Sequence, residues 1–147
     1  LRPGTEPVAL VVGLAKALTL AQNGWKERSE KVATVRDYFI SELLTSIPTA
    51  VMNGPSGANR VANNVNISIP GIDSEFTVIS LDVAGIACST KSACSSAGGG
   101  ASAVVMAISN DVARASSTLR FTLGPDATKT EIDHTVTTLS SYVHKQT

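Results

Sequence analysis

Asn64-Val65-Asn66-Ile67-Ser68-Ile69-Pro70-Gly71 is the stretch on which the fold turns. Val65, Ile67 and Ile69 alternate with Asn64, Asn66 and Ser68, so one face is apolar and the other polar. That period of two predicts a half-buried strand over 64–69, stopped by Pro70-Gly71. Thr118 to Leu123 repeats the pattern, with Leu119, Phe121 and Leu123 inward and Arg120 on the opposite face. A shorter strand is expected over 50–53, and a short buried one over 86–88.

Helical signals lie around these strands. Val8 to Gln22 is apolar almost all round and reads as a buried helix ended by Asn23-Gly24. Glu27 to Ile47 carries Val32, Val35, Phe39, Ile40, Leu43 and Leu44 at helical spacing, and Pro48 stops it. Asp73 is a candidate N-cap for a helix over 74–84, closed by Gly85. A short helix is expected over 101–109. Thr128-Lys129-Thr130-Glu131 reads as a capping box ahead of a last helix with Ile132, Val136, Leu139 and Val143 on one face. The helices are too few and too unevenly spaced for a doubly wound sheet. The pattern predicts one α+β domain over 1–147, with a small, mainly antiparallel sheet flanked by helices.

Composition narrows the function. The chain has 147 residues, 43% hydrophobic and 16% charged, enough to bury a core. Twelve basic and twelve acidic residues cancel. No basic stripe points to nucleic acid, and no polybasic helix points to a membrane surface. The apolar run from Val8 to Ala21 is interrupted by Lys16 and Thr19 and is too short to span a bilayer. Two histidines, His134 and His144, and two cysteines, Cys88 and Cys94, fit no metal spacing, so no metal site is expected. With no secretory signal pattern, a reducing cytoplasm is the default compartment. The chain opens on Leu1 within a motif-like segment and without Met, which reads as a fragment or trimmed start.

The chemistry concentrates at Ser89-Thr90-Lys91-Ser92-Ala93-Cys94-Ser95-Ser96-Ala97-Gly98-Gly99-Gly100. A structural cysteine usually sits among large apolar residues, and Cys94 has none nearby. Small polar neighbours and three following glycines predict an exposed, mobile loop that carries a reactive thiol. Cys88, after Ile86-Ala87, reads instead as a core residue. Lys91 reads as a solvated charge.

Three motifs in order, Arg2-x-Gly4-Thr5-x-Pro7, Ser92-Ala93-Cys94-Ser95-Ser96 and Leu119-Arg120-Phe121-Thr122-Leu123-Gly124, resemble the C-terminal part of a cysteine desulfurase. These are pyridoxal-phosphate enzymes of the class V aminotransferase fold, and the resemblance runs from Arg2 to about Val143. It implies that Cys94 is the nucleophile that takes sulfur from L-cysteine as a persulfide and leaves L-alanine. Arg120 would hold the substrate carboxylate, for which a guanidinium is suited. Gly4 and Thr5 would reach the cofactor phosphate of the neighbouring subunit of a homodimer; Arg2 belongs to that motif without an assigned role. A sulfur-acceptor or scaffold protein would receive the sulfur, for iron–sulfur cluster assembly or tRNA thiolation. The family's Schiff-base lysine lies in an N-terminal domain that this chain does not contain, so the chain is expected to be inactive by itself. Two departures stand out: Gly98-Gly99-Gly100 replaces an acidic-proline stretch, and Lys91 stands where many members have glycine. The alternatives are a stand-alone sulfur-carrier or interaction domain without the cofactor, and a selenocysteine lyase-like enzyme of the same class.

Overall fold

The computed structural model describes residues 3–91 and 100–146. Its elements run α1 (Val8–Gln22), α2 (Trp25–Ser46), β1 (Val51–Met52), a 3-10 turn (Gly57–Asn59), β2 (Asn64–Ser68), α3 (Ser74–Val83), α4 (Ala103–Ser109), α5 (Val112–Ser116), β3 (Thr118–Thr122) and α6 (Lys129–Gln146). Among the described residues the strands form one antiparallel sheet in the order β1-β2-β3. The architecture is the α+β arrangement expected.

The two alternating stretches pair with each other, Val65 opposite Phe121 and Ile67 opposite Leu119. Val65, Ile67, Ile69, Leu119 and Phe121 are all buried, and α2 and α6 supply the other wall of the core through Phe39, Leu43, Ile132, Val136 and Leu139. The rings of Phe39 and Phe121 meet edge to face at 5.2 Å, a favoured aromatic geometry. The capping box forms as read: Glu131 Oε2 accepts from the Thr128 backbone N–H at 2.8 Å, and Thr128 Oγ1 accepts from the Glu131 N–H at 3.3 Å. Asp73 Oδ1 caps α3 by accepting from the N–H groups of Glu75 and Phe76. Gly85, at φ +77°, closes that helix in the left-handed region.

Four expectations are corrected. The segment 8–22 is a helix but not a buried one. Val8, Leu10, Val11, Val12, Leu14, Leu18 and Leu20 are each 56–73% exposed, because no described element packs on α1. Apolarity reports that a helix wants cover, not that its own domain supplies it. The segment 86–88 forms no strand: only Ser89 bridges to β3, opposite Arg120. The region after 101 holds two helices, α4 and α5, where one was expected; Asn110 in the left-handed region separates them. The polar face of the sheet is not simply solvated either, since Ser68 and Thr118 are fully buried beneath α5.

Candidate active site

A single row of the sheet organises the site. Met52 pairs with Ile67 and Asn66 with Arg120, so the row reads Asn53, Asn66, Arg120, Ser89. The Arg120 N–H donates to Ser89 O at 2.7 Å, and the Ser89 N–H donates to Arg120 O at 3.0 Å. Both backbone groups of Arg120 therefore point away from Asn66. The Asn66–Arg120 pair is non-hydrogen-bonded, the type in which opposed side chains stand closest, with Cβ atoms about 4.5–5.5 Å apart. Side chains across one row share a face, here the polar one.

That face floors a cleft of about 440 Å³, whose lining includes Asn64, Asn66, Thr90, Lys91, Ser102 and Arg120. Thr90 and Lys91 lie just before the segment 92–99 and Ser102 just after it, so the cleft sits at the root of the stretch that carries Cys94. Cys94 itself lies outside the described residues. Ser102 is fixed by caps on both sides: its N–H donates to Ala115 O at 2.8 Å, and its Oγ accepts from the Val105 N–H.

Three arginines stand around this face, and two of them are engaged by hydrogen bonds among the described residues. Arg60 donates to the carbonyls of Pro55, Asn53 and Asn64 and to Asn64 Oδ1 at 3.0 Å. Burial and the neighbouring Arg36 guanidinium push its pKa down. Arg114 donates from Nε to Asn53 Oδ1 and from Nη2 to Met52 O, both at 2.7 Å. Arg120 is half-buried, and its guanidinium has no hydrogen-bond or ion-pair partner among the described residues. A guanidinium held partly out of water without an anion is suited to receive one.

The remaining expected residues are placed as follows. Gly4 and Thr5 lie in the coil ahead of α1, both exposed and outside the lining of the Arg120 cleft. Open space surrounds Gly4 where a Cβ would stand. Cys88 is half-buried against the core, and burial pushes its thiol up to about 11, which suits a packing role. Lys91 is not a solvated charge: its side chain is 10% exposed, and Nζ lies 3.0 Å from Glu75 Oε1 on the first turn of α3. His134 and His144 are exposed on α6. No cluster of potential metal ligands occurs among the described residues, and no single helix there is long and apolar enough to cross a membrane.

Pyridoxal phosphate needs a phosphate contact, an enclosure for its ring and an amine for its aldehyde. Gly4 and Thr5 fit the first, with an exposed hydroxyl and unobstructed backbone. Arg120 fits the carboxylate of an amino-acid substrate. The lysine at the cleft, Lys91, has its ammonium paired to Glu75 and does not fit the aldehyde.

The sequence model of the family described as Aminotransferase class-V matches residues 1–135. The chain is 38% identical over 144 residues to a cysteine desulfurase IscS of Dictyoglomus turgidum, covering 98% of this chain and 36% of that protein. It is 36% identical over 146 residues to a cysteine desulfurase IscS of Clostridium botulinum, covering 99% of this chain and 37% of the relative. The chain thus spans little more than a third of the length of these curated relatives. A solved NifS-like protein superposes with a TM-score of 0.78 at 22% identity, over 99% of this chain and 36% of its own. The chain belongs to the class V aminotransferase family.

Proposed function

We propose that this chain is the thiol-bearing C-terminal part of a pyridoxal-phosphate-dependent cysteine desulfurase. The carrying observation is the Arg120 guanidinium, without a partner among the described residues, in a cleft lined by residues on both flanks of the segment 92–99. The cysteine desulfurases it resembles over nearly its whole length support the same reading.

In this account Arg120 takes the carboxylate of L-cysteine in a two-pronged, charge-assisted contact and so fixes the substrate's orientation. Gly4 and Thr5 contribute to the phosphate contact across a homodimer. The bound cofactor supplies an electron sink that weakens the substrate C–S bond. The Cys94 thiolate attacks the substrate sulfur: an S–S bond forms, the C–S bond breaks, and its electron pair stays with the carbon that becomes the methyl group of alanine on protonation. A thiolate of an acceptor or scaffold protein in the cytoplasm then takes the outer sulfur of the Cys94 persulfide, and the Cys94 thiolate leaves. Cys88, with its raised pKa, stays out of this exchange.

The test is product analysis on the complete, cofactor-loaded protein. L-cysteine should yield L-alanine and transferred sulfur in equal amounts, and Cys94→Ser should abolish the transfer while still binding cysteine. Formation of a keto acid by amino-group exchange, with no alanine, would instead identify an aminotransferase.

A further inference from the structure

The hydrogen bonds behind Arg120 have only one consistent polarity. Arg114 can only donate, so the atom of Asn53 it meets at 2.7 Å must be the carbonyl Oδ1. The Asn53 amide nitrogen then faces Asn66 and Ser68, at 2.7 Å from Asn66 Oδ1 and 2.8 Å from Ser68 Oγ. Thr118 donates its one hydroxyl proton to the carbonyl of Arg114 at 3.1 Å, so Ser68 supplies the proton between Ser68 Oγ and Thr118 Oγ1, 3.2 Å apart. The circuit closes on the residue where it began. Because a guanidinium cannot be turned into an acceptor, neither amide in the circuit can flip without leaving two donors face to face.

The branch to Asn66 has a consequence on the cleft side. Its Oδ1 is occupied from behind, so its Nδ2 points the other way. No buried side-chain nitrogen or oxygen among the described residues lacks a partner, yet Asn66 Nδ2 has none. It is therefore open to the cleft that Asn66 lines, on the same face as Arg120 and directly opposite it in the close type of cross-strand pair.

We propose that Asn66 is a second donor to the substrate carboxylate, its N–H turned into the cleft beside Arg120 by the Arg114–Asn53 contact. This rests on the reading of Arg120 as the carboxylate-binding residue and adds a partner to it. A carboxylate has lone pairs for two guanidinium N–H groups and one amide N–H at once. Asn66 then acts as a selectivity filter: an amide in that orientation favours an anion, and an isosteric carboxylate there would repel one.

The test compares L-cysteine with cysteamine, which keeps the thiol and amine and lacks the carboxylate, in the cofactor-loaded protein carrying Cys94→Ser so that turnover is blocked. Asn66→Asp keeps the acceptor that Asn53 needs and reverses only the cleft-facing group. It should weaken L-cysteine at least about tenfold and leave cysteamine within about twofold; Arg120→Gln should show the same selectivity. A second readout is the side-chain amide NMR signal of Asn66, expected to shift on titration with L-alanine and not with ethylamine. If Arg120→Gln is selective and Asn66→Asp affects both ligands alike or neither, Asn66 is no donor and the inference falls alone. If Arg120→Gln is not selective either, the carboxylate reading falls and takes this inference with it.

Discussion

The Nε of Arg114 donates to Oδ1 of Asn53 at 2.7 Å, tying α5 to the end of β1 across 61 residues of sequence. One prediction concerns this tie. Asn53 is 4% exposed and bonds through both ends of its amide, so its removal takes a partner from buried Ser68 and from half-buried Asn66 and Arg114. A stranded buried polar group costs about 1–3 kcal/mol. Asn53→Ala and Arg114→Ala should each lower unfolding free energy by roughly 2–4 kcal/mol in urea titrations. The double variant should lose clearly less than the sum. Strict additivity would show that the two residues do not act together.

Arg120 should behave in the opposite way. Its guanidinium has no partner to lose among the described residues, so Arg120→Ala should leave the urea midpoint nearly unchanged. Binding of L-cysteine should fall by about 10- to 150-fold, the equivalent of a charge-assisted bond worth roughly 1.5–3 kcal/mol. A large drop in stability with unchanged affinity would make Arg120 a structural residue.

The contrast between α1 and α2 gives a third expectation. Leu43, on the amphipathic α2, is fully buried, and Leu14, on the almost uniformly apolar α1, is 70% exposed. Leu43→Ala should cost about 2–5 kcal/mol. Leu14→Ala should stay within about 0.5 kcal/mol when the described fold alone is tested. A comparable loss at Leu14 would mean that α1 packs on this fold after all.

Those two helices also show what was legible and what was not. The strands at 64–69 and 118–123 were readable because alternation with period two is a local pattern, and their faces followed from it. The helix ends at Asp73 and Thr128 were readable because capping is chemistry within four residues. Burial of α1 was misread because apolarity is local and a packing partner is not. The circuit of Asn53, Ser68, Arg114 and Thr118 escaped because its members lie far apart in sequence and each looks ordinary alone. Asn53 ends the short strand expected over 50–53, just before Gly54-Pro55, and Arg114 lies in a run of small residues. Arg120 was visible because the Leu119 to Gly124 motif resembles the family's carboxylate-binding segment, and the alternation put it on the face opposite Leu119 and Phe121. That Arg60 and Arg114 are committed elsewhere, leaving Arg120 without a partner among the described residues, needed the fold.

Cys88 carries a pH prediction. Burial holds its thiol protonated, with the pKa raised to about 11 and the negative charge of Asp82 adding to the effect. The folded protein thus keeps a proton that the unfolded chain loses near the ordinary thiol value of about 8.5. The associated stability is present below that value and declines as pH rises towards 11. Cys88→Ala should flatten the stability profile over that alkaline window, seen in urea midpoints at successive pH values. An unchanged alkaline slope would place the titrating group elsewhere.

In the proposed reaction Cys94 receives the sulfur of L-cysteine. The direct measurement is mass spectrometry of the native, cofactor-loaded protein after brief exposure to sulfur-labelled L-cysteine, with the persulfide trapped by alkylation and the peptides resolved. One labelled sulfur is expected on the peptide containing Cys94, formed together with one equivalent of alanine, and none on the peptide containing Cys88. Label on Cys88, or alanine formed with no label on Cys94, would contradict it.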